Sequence, residues 1–405
     1  MEISRMNSDF GNSTGNFLGS GYYFEIPTNV VEVTKDIAEG YFTSEVHEAT
    51  DLLDRLLIST EIDGVERYFV VGKLAEGGEF SNMHVDEMHD KITSHVPYAM
   101  FLASVAYQYR VKAEEQKDKD EVNIARMKMM LPIWLLTRED RFGTALERMA
   151  SRFRGEHKVK LLTAGMETEL TINVDNSGCY IEGEVARLSL KYKLVNDPSD
   201  PEKKTKLVPR EETAEMFKKF ETVLVDIGGG STDAVLLPKN LASPISRNSY
   251  QVISIKPFLG KLDELRKNKL INYFTDLRTL EKFLVDNHKT HRYVLKNENT
   301  GKELDLTEQI TSMLRDYAEV LVQKVLHTFT KMTTSPLKFV YFGGEAPILG
   351  EYIKEAVTRL TSAEIAQNNH LLLSDVIKVD SNEVFPPVSR TINLNSLELI
   401  SVKEG

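Results

Sequence analysis

The chain has 405 residues, 41% of them hydrophobic, enough to bury a large core and to form two or three domains of ordinary size. A formal net charge of -11, with 61 acidic against 50 Lys and Arg side chains, argues against direct nucleic-acid binding, since that affinity comes largely from neutralising phosphates. The single cysteine, Cys179, excludes an intramolecular disulfide, and no apolar run approaches the ~20 residues that span a bilayer, so a soluble cytoplasmic protein without membrane attachment is expected.

The N-terminal segment alternates short β-rich runs with turns: residues 3–6, the Gly/Ser/Asn-rich 11–21, then 22–27 and 67–71, which together predict a β-meander. Residues 94–115 carry a helical pattern with Ala, Leu, Met and Tyr on one face. Residues 129–136 form a buried apolar run, 139–153 a helix, and 159–180 a pair of strands. Residues 197–206 (DPSDPEKKTK) are the most loop-like in the chain, and the boundary between two halves is expected there. The second half opens with the strand 222–225. It continues with helices at 277–287 and 307–330, a strand at 339–342 and a helix at 348–361.

Two turns share one layout. Asp9-Phe-Gly-Asn-Ser-Thr-Gly15 and Asp226-Ile-Gly-Gly-Gly-Ser-Thr-Asp233 each follow a strand. Glycines let backbone N–H groups approach phosphate oxygens, and Ser and Thr hydroxyls add donors. An Asp at a strand end can hold hydrated magnesium, a hard cation that keeps several waters. Either turn alone is ordinary hairpin material. Together, in two domain-sized segments, they suit a triphosphate clamped from two sides.

These residues carry a resemblance. DFGNSTG resembles the first phosphate motif of the actin, heat-shock-chaperone and sugar-kinase superfamily, and VLVDIGGGSTD resembles its second. FVYFGGEAPILGEYIKEAV resembles its adenosine motif, with Glu345 where relatives often have a third glycine. The resemblance implies an α/β, actin-like fold of two related domains, each a mixed sheet flanked by helices, with nucleotide in the interdomain cleft. The first domain is expected to span 1–205, with 370–405 returning to it, and the second 206–369. ATP or ADP and Mg²⁺ are implied, with Asp9 and Asp226 near the metal. Gly11, Asn12 and Ser13, and Gly228, Gly229, Gly230 and Ser231, are implied at the phosphates, and Gly343, Gly344 and Glu345 at the ribose and adenine. The helical segments 94–115 and 307–330 match the family's crossing hinge segments.

Hydrolysis needs a group that orients the attacking water. Filament-forming relatives put an acid or amide just past a first-domain strand, and Glu182 fits that position in CYIEGEVARL. Glu182 is therefore taken with Asp226 as the catalytic pair. Glu184, Glu211 and Glu212 remain alternatives, and each also suits the purely structural role of an acid at a helix N-terminus.

Other constellations read as structure. His84 and His89 are spaced i,i+5, a poor helical ligand pair. The basic stretch 152–160 reads as a solvated face or protein contact, and Trp134 as core. No GxxxxGK[ST] loop is present.

Within the superfamily, no room is expected after the adenosine motif for a chaperone's peptide-binding domain, and no sugar site is assignable. RMNSDFGNS, FEIPTNVVE, LPIWLL, IEGEVAR, LEKFL, DLTE and YFGG are similar to ParM-like bacterial actins, above all the Alp group of plasmid-segregation proteins. That similarity implies an ATPase that polymerises with itself and moves plasmid DNA through a DNA-binding adaptor at a centromere-like site. A small-molecule (sugar-type) kinase and a non-hydrolysing nucleotide-binding scaffold of the same fold are the competing readings.

Overall fold

A computed structural model describes residues 1–76, 90–112, 120–199 and 205–404. The chain groups into two compact units, Met1–Glu182 with Ser396–Gly405, and Gly183–Asn395.

The first unit is built on a 10-stranded mixed sheet. Its centre is parallel: Met6–Phe10 lies beside Glu121–Leu131, which lies beside Thr168–Ile181. On one side Thr14–Gly19 and Tyr22–Pro27 continue as the antiparallel meander expected from the turn residues. On the other, Gly155–Leu161, Leu56–Ile62, Val65–Val71 and Val30–Val33 complete the order.

The helix His95–Lys112 packs across several of these strands. A one-sided apolar face was expected of it. Instead every residue from Ala99 to Tyr109 is buried, including Ser104 and Gln108, because the helix is enclosed by its surroundings. Its small residues Ala99, Ala103 and Ala106 pack into the same core as Phe101 and Leu102, and Ser104 satisfies its hydroxyl on the Phe101 carbonyl at 2.7 Å. The apolar run 129–136 is the buried end of Glu121–Leu131 followed, after Pro132, by the short helix Ile133–Leu136. Trp134 is core, with the Arg138 guanidinium 4.6 Å from its ring centre.

The C-terminal residues join this unit through a buried polar network. Glu398 accepts from Arg5 Nε at 2.7 Å and from Asn7 Nδ2 at 2.6 Å, while Ser401 Oγ donates to Asn7 Oδ1 at 2.8 Å. Asn7 and Glu398 are both at most 2% exposed, so each would cost stability without the other.

The second unit has a 5-stranded sheet in the order Tyr250–Val252, Thr232–Leu237, Glu221–Ile227, Leu337–Phe342, His370–Leu372. Glu221–Ile227 is central, antiparallel to Thr232–Leu237 and parallel to Leu337–Phe342. Its β-branched run suits a strand covered on both faces, and Thr222 through Ile227 are all buried. The helices Thr307–Phe329 and Ala346–Leu360 pack on one another.

The grouping differs from the division expected at 205/206. The flanks of the loop-like stretch, Tyr192–Asn196 and Thr205–Pro209, pair antiparallel with each other inside the second unit. The stretch is thus bounded by two paired strands of one unit, and its residues 200–204 lie outside the described residues. The second of these strands is followed by Arg210, which is buried and ion-paired with the fully buried carboxylate of Glu383.

Candidate functional site

The first turn lies in the first unit. Phe10 pairs with Gly15 and Asp9 with Asn16, leaving Gly11, Asn12, Ser13 and Thr14 as the hairpin tip. Thr28 clamps this tip: its N–H donates to the Ser13 carbonyl at 3.0 Å and its hydroxyl to the Gly11 carbonyl at 2.6 Å. A Cβ at Gly11 would lie 2.5 Å from the Thr14 carbonyl oxygen, so the tip admits only glycine there. Ser13 Oγ is buried and makes no hydrogen bond among the described residues, leaving a donor for an incoming oxygen.

The second turn lies in the second unit and repeats the first at the level of register. Ile227 pairs with Thr232 and Asp226 with Asp233, again leaving four residues, Gly228 to Ser231, at the tip. The Gly228 N–H closes the turn on the Ser231 carbonyl at 3.0 Å, and the Gly229 carbonyl accepts from the Leu259 N–H at 3.0 Å. Asp9 and Asp226 thus hold equivalent positions, one residue before the last pair, and both are buried.

Gly343, Gly344 and Glu345 are brought against this second turn. The Glu345 N–H donates to the Ile227 carbonyl at 3.1 Å, and Gly343 exchanges hydrogen bonds with Ser389 at 2.9 Å in both directions. Gly343 has φ +98°, and a Cβ on it would sit 2.5 Å from Asp226 Oδ1 and 2.5 Å from the Ile227 carbonyl oxygen. Only glycine fits there, on both conformational and steric grounds. Glu345 is buried at the start of the helix Ala346–Leu360. Burial, and then the nearby Glu281 carboxylate, push its pKa up to about 8 against the pull of Arg390 and Arg278.

Asp226 has a partner that sequence inspection missed. Asn393 Nδ2 donates to Asp226 Oδ2 at 2.6 Å, and Asn393 Oδ1 accepts from the Gly183 N–H at 3.3 Å. Thr28 and Ser389 were likewise missed. All three are ordinary polar residues remote in sequence from the groups they hold, with no local motif to mark them.

The four acids considered for water orientation have different surroundings. Glu182 follows directly on the strand Thr168–Ile181; its N–H donates to the Leu131 carbonyl at 2.9 Å. Its carboxylate is 3.5 Å from Lys91 Nζ, and its Oε2 makes no hydrogen bond among the described residues. Glu184 is engaged in an ion pair with Arg187. Glu211 and Glu212 open the helix Glu211–Phe217, and Glu212 pairs with Lys378 at the surface.

Among the described residues no group of three or more His, Cys, Asp or Glu gathers as a metal site; His84 and His89 lie outside the described residues. Magnesium suits the donors present, because it needs only one or two carboxylates when phosphate and water oxygens complete its shell. Asp9 and Asp226 supply hard oxygens beside glycine tips. The basic stretch 152–160 is neutralised locally: Arg154 pairs with Glu147, Lys158 with Glu156 and Lys160 with Glu66. Arg152 turns inward to the Lys91 and Ile92 carbonyls. No described helix is long and apolar enough to cross a membrane.

Two mixed sheets flanked by helices, each carrying an Asp–Gly hairpin of the same register, define an actin-like protein. The whole chain superposes on a crystal structure of the actin-like protein Alp7A with a TM-score of 0.85 and 41% identity, covering 100% of this chain and 97% of that one. The family model of the Alp7A C-terminal domain matches residues 221–376. The chain belongs to the Alp7A family. More distant likenesses support the fold: ParM of Bacillus thuringiensis with ATP, at TM-score 0.60 and 17% identity over 98% of both chains, and the ParM of a 15-stranded filament from Clostridium botulinum, at 0.61 and 14% over 100% of both. No curated protein sequence matches the chain.

Proposed function

We propose that the chain is an ATPase that assembles with itself into filaments and moves plasmid DNA in the bacterial cytoplasm through a DNA-bound adaptor. The observation that carries the nucleotide reading is the repeated hairpin, with Asp9 and Asp226 in equivalent register beside glycine-bearing tips, the first of which has no room for a side chain at Gly11. The filament and plasmid roles rest on membership of the Alp7A family, and the net charge of -11 suits a division of labour in which an adaptor holds the DNA.

In this reading Gly11–Ser13 and Gly228–Ser231 donate to phosphate oxygens, and Gly343–Glu345 line the nucleoside. Asp9 and Asp226 would hold Mg²⁺, which would supply neutralisation of charge on the phosphates. Glu182 orients the attacking water. A bond forms from the water oxygen to the γ-phosphorus as the bond to the β,γ-bridging oxygen breaks. The electron pair leaves with ADP, and the water proton passes to the Glu182 carboxylate and on to solvent. Nucleotide state then shifts assembly by its differential affinity for the two conformations.

Light scattering and phosphate release at several protein concentrations, with ATP and magnesium, test this. Scattering that rises above a threshold concentration, with phosphate release tracking it, is expected. ADP formed only after a sugar is added, without phosphate release, points to a kinase, and assembly without phosphate release to a scaffold; either result overturns the reading.

A further inference from the structure

Lys91 is a buried cation that neither phosphate turn uses. Its side chain is 4% exposed, and its Nζ stands 3.5 Å from Glu182 Oε2, an oxygen that accepts no hydrogen bond among the described residues. A buried ammonium is costly unless a counter-charge faces it. The backbone beneath it is held on both sides. Arg152 Nη1 donates to the Lys91 carbonyl at 3.2 Å and to the Ile92 carbonyl at 3.0 Å, while Asp90 Oδ1 accepts from the Ile92 N–H at 2.9 Å. Glu182 is tied from its own backbone to the Leu131 carbonyl at 2.9 Å. Two anchored segments thus present one cation to one carboxylate. The Cys179 thiol is pushed up chiefly by burial, and it feels both charges.

We propose that Lys91 is a positioning residue for hydrolysis, fixing one oxygen of the Glu182 carboxylate so that the other is held towards the attacking water. The proposal rests on the assignment of Glu182 to water orientation. An ion pair of this kind restricts a flexible glutamate to the rotamer in which its free oxygen can act, and small losses of such alignment cost large factors in rate. Lys91 takes no proton and touches no substrate; its effect passes wholly through Glu182.

The test uses the full chain with Mg·ATP. Lys91→Met is expected to lower kcat for phosphate release by about tenfold or more, with affinity for a fluorescent ATP analogue changed less than about threefold. Lys91→Arg, which keeps the charge, should recover most of the rate. On a Glu182→Gln background, Lys91→Met should have no further effect on kcat, because no carboxylate remains to be positioned. A Lys91→Met protein of wild-type kcat, beside a Glu182→Gln protein that is inactive, would overturn the role of Lys91 alone. Loss of ATP binding and of the thermal transition in Lys91→Met, unrelieved by Glu182→Gln, would also overturn it by making Lys91 purely structural. Wild-type phosphate release from Glu182→Gln would remove Glu182 itself from the mechanism, and this inference with it.

Discussion

Asn393 holds Asp226: its Nδ2 donates to Asp226 Oδ2 at 2.6 Å, while its Oδ1 accepts from the Gly183 N–H at 3.3 Å. Both side chains are buried, at 5% and 6% exposure. One amide therefore orients the carboxylate and pins the backbone residue that follows Glu182. Asn393→Ala is expected to cost about 1.5–3 kcal/mol, the range for a buried hydrogen bond to a charged group. It should also raise the magnesium concentration needed for phosphate release. Asn393→Asp should cost more, since it sets two carboxylates face to face. Urea melts and magnesium titrations check both; an unchanged magnesium requirement would detach Asp226 from the metal.

Gly343→Ala is expected to destabilise the protein by about 3 kcal/mol or more, combining left-handed strain with overpacking. The added Cβ would meet Asp226 Oδ1 and the Ile227 carbonyl oxygen, both at 2.5 Å. Gly143→Ala is the control. Gly143 lies in the helix Phe142–Arg152 with nothing within 4 Å of its would-be Cβ, so alanine should stabilise by about 0.5–1 kcal/mol. Thermal melts of the two variants should shift in opposite directions.

Glu345 gives stability a pH slope. Burial and Glu281 raise its pKa from 4.5 to about 8, so between those values the folded chain holds a proton that the unfolded chain has lost. Stability contributed by this group is present below pH 4.5 and falls as pH rises through 8. Glu345→Gln, a permanently neutral mimic, should match wild type near pH 5 and exceed it in melting temperature near pH 8.5. Parallel profiles for the two proteins would show that Glu345 is ionised in the fold.

His370 slopes the other way. It is stacked on Phe339 at 4.4 Å between ring centres and bonded through Nδ1 to the Tyr341 hydroxyl at 2.8 Å. Burial, with Lys354 adding, pushes its pKa down from 6.5 to about 3. Below pH 6.5 the unfolded chain takes up a proton that the folded chain refuses, so stability is lost as pH falls towards 3. His370→Gln should remove this loss, which amounts to a few kcal/mol at most. Denaturant midpoints at pH 7 and pH 5 read the difference directly.

The parts legible in advance were those written locally. The two Asp–Gly turns, the strand into the second of them and the helix Leu277–Asn287 follow from residue type and period, because turn chemistry and helical spacing act over a few residues. Asn393 was not legible: it acts on a residue 167 positions away, and an asparagine in a helix carries no signature. Lys91 was hidden for the same reason. The all-round burial of Ala99–Tyr109 escaped because periodicity reports one face and cannot see how many neighbours close around a helix. The pairing of Tyr192–Asn196 with Thr205–Pro209 was hidden by the charge of the sequence between them, which matches the composition of a linker.

The buried Asn7–Glu398–Ser401 network has a consequence for synthesis on the ribosome. Nascent domains ordinarily complete themselves from the N-terminus onward. Here the second unit, continuous from Gly183 to Asn395, has all of its sequence before the first unit does, because Ser396–Gly405 belongs to the first and is translated after it. Asn7 must wait while the 391 positions up to Glu398 are translated, and for Ser401 after that. A product ended prematurely by a stop codon at Ser396 would carry a full second unit and a first unit with a polar residue stranded in its core. Quality control in the cell could tell it from the finished protein on that ground alone.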